Sequence, residues 1–229
     1  MLICEISVIL VVLNAGSYFS TTTYAKSIDL LGIILTVFLL FWILVNGKIR
    51  GYERPDLGLC FRSISQKQWK AIVGFVVVFY PLMFAIETLF PSEIRGDVTF
   101  IKLVSTAVFT LAFGPIFEEL LFRGYLFTRS QDVFHKKNVG SPSFEVSSAS
   151  IVSGIAWGLW HLPTPIVLWY FNDPLIVIYQ SLFGFVLLAS IAGILLGEVR
   201  RRTESLLPGI VLHLVGNSAY VLTVAMRIS

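Results

Sequence analysis

Charge is what this chain most lacks. Lys and Arg number 17 and Asp and Glu 14, together 14% of 229 residues, against about 25% in an ordinary soluble domain. Apolar residues make up 56% and the mean hydropathy is +0.82. A water-soluble chain of this length could not hide so much apolar side chain in one core, which points to a bilayer as solvent. The same numbers exclude disorder. Cysteine is nearly absent: Cys4 and Cys60 exclude a disulfide-stapled secreted scaffold, carry no ligand spacing, and read as inert thiols. The net charge of +3 comes with no interleaved basic and aromatic patch, so nucleic acid is not an expected partner.

What is present is a succession of long apolar runs. About 20 apolar residues span a bilayer as helix, and seven stretches qualify: 2–19, 28–46, 70–90, 100–128, 150–171, 174–198 and 205–226. They run continuously rather than alternating, which argues against a β-barrel. No basic residue precedes the first run and no A-x-A site follows it, so it reads as a span rather than a signal peptide. The expected fold is all-α: a polytopic bundle of about seven, alternatively eight, transmembrane helices. No repeat, low-complexity tract or long linker divides it. Ser65 to Gln68 forms a capping-box pattern ahead of Trp69, which predicts a helix start at headgroup level.

Twelve of the 17 cations lie in the alternate connections 47–70, 128–149 and 199–204, and four on the opposite side. By the positive-inside rule the N-terminus is cytoplasmic and the protein is a multi-pass integral membrane protein. The remaining cation, Arg123, lies within a span.

Ionisable groups inside spans mark functional sites by default. Five stand out: Glu118, Glu119 and Arg123 in GPIFEELLFRGYLF, His161 in AWGLWHLPTP, and His213 in PGIVLHLVGN. Glu119 and Arg123 are one turn apart in the favourable acid-first order, whereas Glu118 points about 100° away from Glu119. Counted from the basic side, Glu118, His161 and His213 each lie roughly 15 Å deep at 1.5 Å per residue. Asn217 follows His213 by one turn, and Trp157 precedes His161 by one turn. Pro115, Pro163 and Pro208 accompany the three deep residues and predict kinked helices around a water-filled pocket. His135, beside Lys136 and Lys137 in a polar loop, reads as solvated.

A carboxylate shielded from bulk water can serve as a general base, and imidazole and amide groups can hold the water or stabilise an oxyanion. Such a set suits a hydrolase without a covalent nucleophile. Glu118, His161 and His213 also satisfy the ligand count of a catalytic zinc or similar divalent metal, and spacing alone does not separate the two uses. Two other classes fit the same residues. One is a transporter or proton relay; the other is a non-catalytic membrane immunity or scaffold protein whose polar cluster only joins helices.

Glu118-Glu119-x-x-x-Arg123, Trp157-x-x-x-His161 and His213-x-x-x-Asn217, in that order on successive apolar segments, resemble the CPBP family of intramembrane proteases, the CAAX-processing and bacteriocin-processing enzymes also called Abi. The resemblance covers about 100–220, and RPDLGL at Arg54 to Leu59 is similar to a leader often found upstream. It implies a catalytic helix core over 100–229, preceded by N-terminal helices and a basic loop over 1–99. It implies that Glu118 and His161 activate water, that His213 and Asn217 stabilise the oxyanion (or His213 binds metal), and that Glu119 and Arg123 orient the site. The implied partner is a peptide or membrane-protein substrate cleaved near the cytoplasmic leaflet. Trp157 stands where the family usually has Phe.

Overall fold

The computed structural model describes residues 41–59, 113–134, 146–162 and 174–226 continuously. It also describes short groups at 38, 65–66, 69–70, 72–74, 76–77, 80–81, 85, 111, 165–166 and 169. The first expected span, most of the next two, the start of the fourth, and Cys4, Cys60, His135 and Pro163 lie outside the described residues. Every regular element among the described residues is helical. Helix α1 covers residues 41–49. Helix α2 runs through α-helical Gly114–Glu118, π-helical Glu119–Leu126 and α-helical Phe127–Phe134. Then follow α3 (Ser148–Trp160), α4 (Leu175–Thr203, π-wound over Leu182–Leu188) and α5 (Leu207–Met226). Between α1 and α2, a helix starts after Ser65, where the Trp69 amide donates to the Ser65 carbonyl, as the capping pattern predicts.

Among the described residues, only α4 is both long and apolar enough to cross a membrane by itself, with 29 residues. The run expected to span 150–171 does not continue as one helix. Helix α3 stops at Trp160 and His161 caps it, because Pro163 two residues on disfavours helical backbone at Leu162. His161 therefore stands at a helix end rather than in mid-helix. Pro208 likewise does not kink α5; it is the second residue of that helix, where a missing N–H breaks no ladder bond.

Apolar burial drives helices together only weakly in lipid, so close backbone approach has to supply the contact energy. Helices α3 and α4 achieve it with facing Gly-x-x-x-Gly pairs, Gly154 with Gly158 and Gly193 with Gly197. A Cβ on Gly193 would lie 2.8 Å from the Gly154 Cα and 2.9 Å from the Trp157 ring, and one on Gly197 would lie 2.9 Å from the Ser150 Cα. Gly193→Val is expected to cost about 1–3 kcal/mol through overpacking against backbone that cannot yield. Gly184→Ala, where a Cβ meets nothing within 4 Å, is expected to leave stability unchanged or raise it by up to about 1 kcal/mol, because alanine favours helix over glycine. Thermal unfolding of both variants in detergent checks the contrast, and equal midpoints would refute the packing account.

Polar contacts pin the ends of these helices. Ser147 caps α3 with its hydroxyl, accepting from the Ser150 amide. The Glu198 carboxylate of α4 accepts from the Ser147 amide at 2.8 Å and the Ser150 hydroxyl at 2.9 Å. At the same end of the bundle, the RPDLGL segment acts as a strap across three helices. The Asp56 carbonyl accepts from Thr128 of α2 and from Arg200 of α4, both at 2.7 Å. The Gly58 carbonyl accepts the Leu206 amide at 3.0 Å, just ahead of α5. Gly58 has φ +73°, and a Cβ there would strike the Arg200 guanidinium, so both conformation and space call for glycine. Tyr52 donates its hydroxyl to Asp132, and burial together with that carboxylate pushes the phenol above its ordinary value.

The buried core joins α1 to α5 through Ile43, Phe117, Leu121, Phe122, Tyr125, Ala156, Trp157, Leu196 and Leu212. The site lies against this core.

Candidate active site

Winding in α2 changes at the residues of interest. Glu118 ends an α-helical segment and Glu119 opens a π-helical one, a departure found frequently at functional sites. A π turn spreads more residues over one revolution, so successive side chains diverge less than in an α-helix. Glu119 and Arg123 are both fully buried, with Arg123 Nη1 3.1 Å from Glu119 Oε1. That contact is an ion pair without hydrogen-bond geometry, and among the described residues Glu119 Oε2 and all three Arg123 nitrogens have no hydrogen-bond partner. Compensation comes from an aromatic face: the guanidinium lies 4.3 Å from the Trp157 ring centroid, a cation–π contact worth about 2 kcal/mol when desolvated.

His213 of α5 reaches both glutamates. Its Nδ1 is 3.2 Å from Glu119 Oε1, and its Nε2 is 3.8 Å from Glu118 Oε2. With Nδ1 donating to Glu119, the other ring nitrogen is turned to Glu118, the arrangement by which a carboxylate fixes an imidazole's orientation. Gly209, one turn before His213, makes the approach possible, since a Cβ there would lie 2.7 Å from Glu119 Oε2.

Trp157 and His161 complete the cluster from α3. The Trp157 indole Nε1–H donates to Glu118 Oε2. The Trp157 carbonyl lies 2.9 Å from His161 Nδ1; a carbonyl can only accept, so Nδ1 carries the proton and the neutral ring keeps its lone pair on Nε2. Trp157 meets His161 edge-on at 5.5 Å and His213 at 5.0 Å between ring centroids. His161 stacks on Phe185 of the π-wound part of α4, with the rings 9° from parallel.

Glu118, Glu119, Arg123, Trp157, His161 and His213, drawn from three helices, are thus brought into one cluster. Asn217 is half-buried one turn beyond His213 on α5. Glu118 has 16% of its side chain exposed and Glu119 none, so only the first of the two adjacent carboxylates is open to a ligand. Gly209 and Phe185 were not singled out by sequence; the small-residue signal at Gly209 was there, one turn before His213, but nothing local marked Phe185. Among the described residues no group of three His, Cys, Asp or Glu side chains is arranged to hold a metal ion. The Glu118, His161 and His213 set does not form such a group.

Fold and site together define an all-helical membrane protein with a buried glutamate–histidine–tryptophan cluster. Residues 100–219, which hold every residue of that cluster, match the family described as type II CAAX prenyl endopeptidase Rce1-like. That is more than half of the chain, and the chain belongs to this family of membrane-embedded proteases. No curated protein and no solved structure matches it.

Proposed function

We propose that this protein is a CAAX-type intramembrane endopeptidase in which Glu118 activates the attacking water directly. One observation carries the reading: a partly open carboxylate, Glu118, lies 3.8 Å from the His213 imidazole and accepts the indole N–H of Trp157, whose carbonyl holds His161, while its buried neighbour Glu119 is occupied with Arg123. Water held between Glu118 and the His161 Nε2 lone pair loses a proton to Glu118 and attacks the peptide carbonyl. The oxyanion is stabilised by His213 in its doubly protonated form, which gives Nδ1–H to Glu119 and Nε2–H to the oxyanion, with Asn217 one turn beyond. Glu118 then returns the proton to the departing amine. Glu119 and Arg123 hold His213 in place rather than reacting.

The substrate proposed is a membrane-anchored peptide whose prenylated cysteine precedes three terminal residues; processing of bacteriocin or other leader peptides is the alternative within the same chemistry. Residues 100–229 form the catalytic core and 1–99 the supporting helices and basic loop. The N-terminus is cytoplasmic, the chain crosses the membrane several times, and the scissile bond lies near the cytoplasmic leaflet. No metal is required.

Purified protein in proteoliposomes tests this with a fluorogenic prenylated peptide and its unprenylated counterpart. Release of the terminal tripeptide from the prenylated form is expected, undiminished by dialysis against a chelator and without stoichiometric zinc by elemental analysis. Loss of activity on chelation with recovery on zinc addition would overturn the metal-free mechanism. Proton flux without hydrolysis would overturn the protease reading and favour a relay.

A further inference from the structure

Trp157 touches every charged or titratable member of the cluster except Glu119. Its Nε1–H binds Glu118, its carbonyl binds His161 Nδ1, its ring lies beneath Arg123, and its edge meets both imidazoles. It is also buried, at 7% exposure, and braced by Gly193, where a Cβ would sit 2.9 Å from the ring. An indole so confined has little freedom to leave its partners.

We propose that Trp157 is a positioning residue for the hydrolytic step, its indole N–H holding one oxygen of Glu118 so that the other is presented to the water. The inference deepens the proposed protease function and rests on it. A carboxylate has two chemically equivalent oxygens and rotates freely unless one is engaged. The Nε1–H engages Oε2, the same oxygen that His213 Nε2 approaches at 3.8 Å, which leaves Oε1 as the proton acceptor. The Trp157 carbonyl fixes the His161 ring at the same time, directing the Nε2 lone pair away from the helix end. A single residue therefore sets the orientation of both groups that would hold the water. Angular errors in such a pair lower the rate of the bound complex more than they weaken substrate binding.

The test removes the donor and keeps the shape. Replacing Trp157 with β-(3-benzothienyl)alanine exchanges the indole N–H for sulfur, leaving ring size, the guanidinium contact and the backbone carbonyl in place. Turnover of the prenylated peptide is expected to fall about tenfold with KM within about twofold, since orientation in the bound complex is what is lost. Trp157→Phe is expected to fall at least as far. Thermal unfolding supplies a readout independent of turnover. The benzothienyl replacement should lower the midpoint in the native background and leave it unchanged in Glu118→Ala, because the hydrogen bond exists only when both partners do. Native kcat in the benzothienyl protein, or an equal midpoint shift in both backgrounds, would overturn the role of Trp157. Retained hydrolysis in Glu118→Ala alone would instead overturn the protease assignment, so the two failures are distinguishable.

Discussion

Glu118→Ala is expected to reduce peptide hydrolysis by about 10²–10⁴-fold, the range associated with loss of a positioned general base, while the protein still inserts and folds. The two adjacent glutamates make opposite predictions here, and geometry separates them. Glu119 is fully buried and supplies the charge that neutralises Arg123. Glu118 is partly exposed, and among the described residues it accepts an indole N–H and lies 3.8 Å from an imidazole nitrogen. Removing Glu118 therefore strands no buried cation. Glu118→Gln keeps an acceptor for the indole but cannot take a proton, and it should be equally inactive with a native thermal midpoint. Full hydrolysis by either purified variant would refute the assignment.

Arg123→Leu should be the most destabilising single change in the cluster. It leaves the Glu119 carboxylate fully buried beside His213 Nδ1, with its Oε2 without a hydrogen bond among the described residues. Breaking one side of a buried ion pair costs about 3–5 kcal/mol. The loss of the guanidinium from the Trp157 ring adds to it. The double change Glu119→Leu with Arg123→Leu removes both charges and should recover much of that loss, though His213 would no longer be oriented and hydrolysis would stay low. Denaturation midpoints of the two singles and the double form a mutant cycle. Additive losses, with no recovery in the double, would show that the pair is not coupled.

The cluster was legible in sequence because charge is so rare in this chain that each intramembrane ionisable residue stands out. Spacing within a helix was legible too. Glu119 and Arg123 pair at i and i+4 as their order predicts, and Trp157 meets His161 across one turn. Equal depth of Glu118, His161 and His213 suggested one place for the three, and contacts of Glu118 with His213 and of Trp157 with both imidazoles put their side chains in one cluster. The interruption at His161 was less visible, since hydropathy continues through Pro163 and the apolar run 150–171 looks unbroken. Facing Gly-x-x-x-Gly pairs on α3 and α4 were written in the sequence, but neither glycine pair says which partner it faces.

The sequence by itself determined the solvent, the helical class and the residues within one turn of each other, because hydropathy and helical periodicity are local properties. Only the tertiary structure decided that His213 sits between two adjacent carboxylates, and that the indole of Trp157 binds Glu118 rather than merely lining a wall. It alone decided, too, that Gly209 clears the space for Glu119. Those contacts depend on how far each helix is rotated and how tightly it approaches its neighbour. The π winding that begins at Glu119 and the glycine faces of α3 and α4 set that rotation and distance, and neither can be evaluated until the helices are packed together.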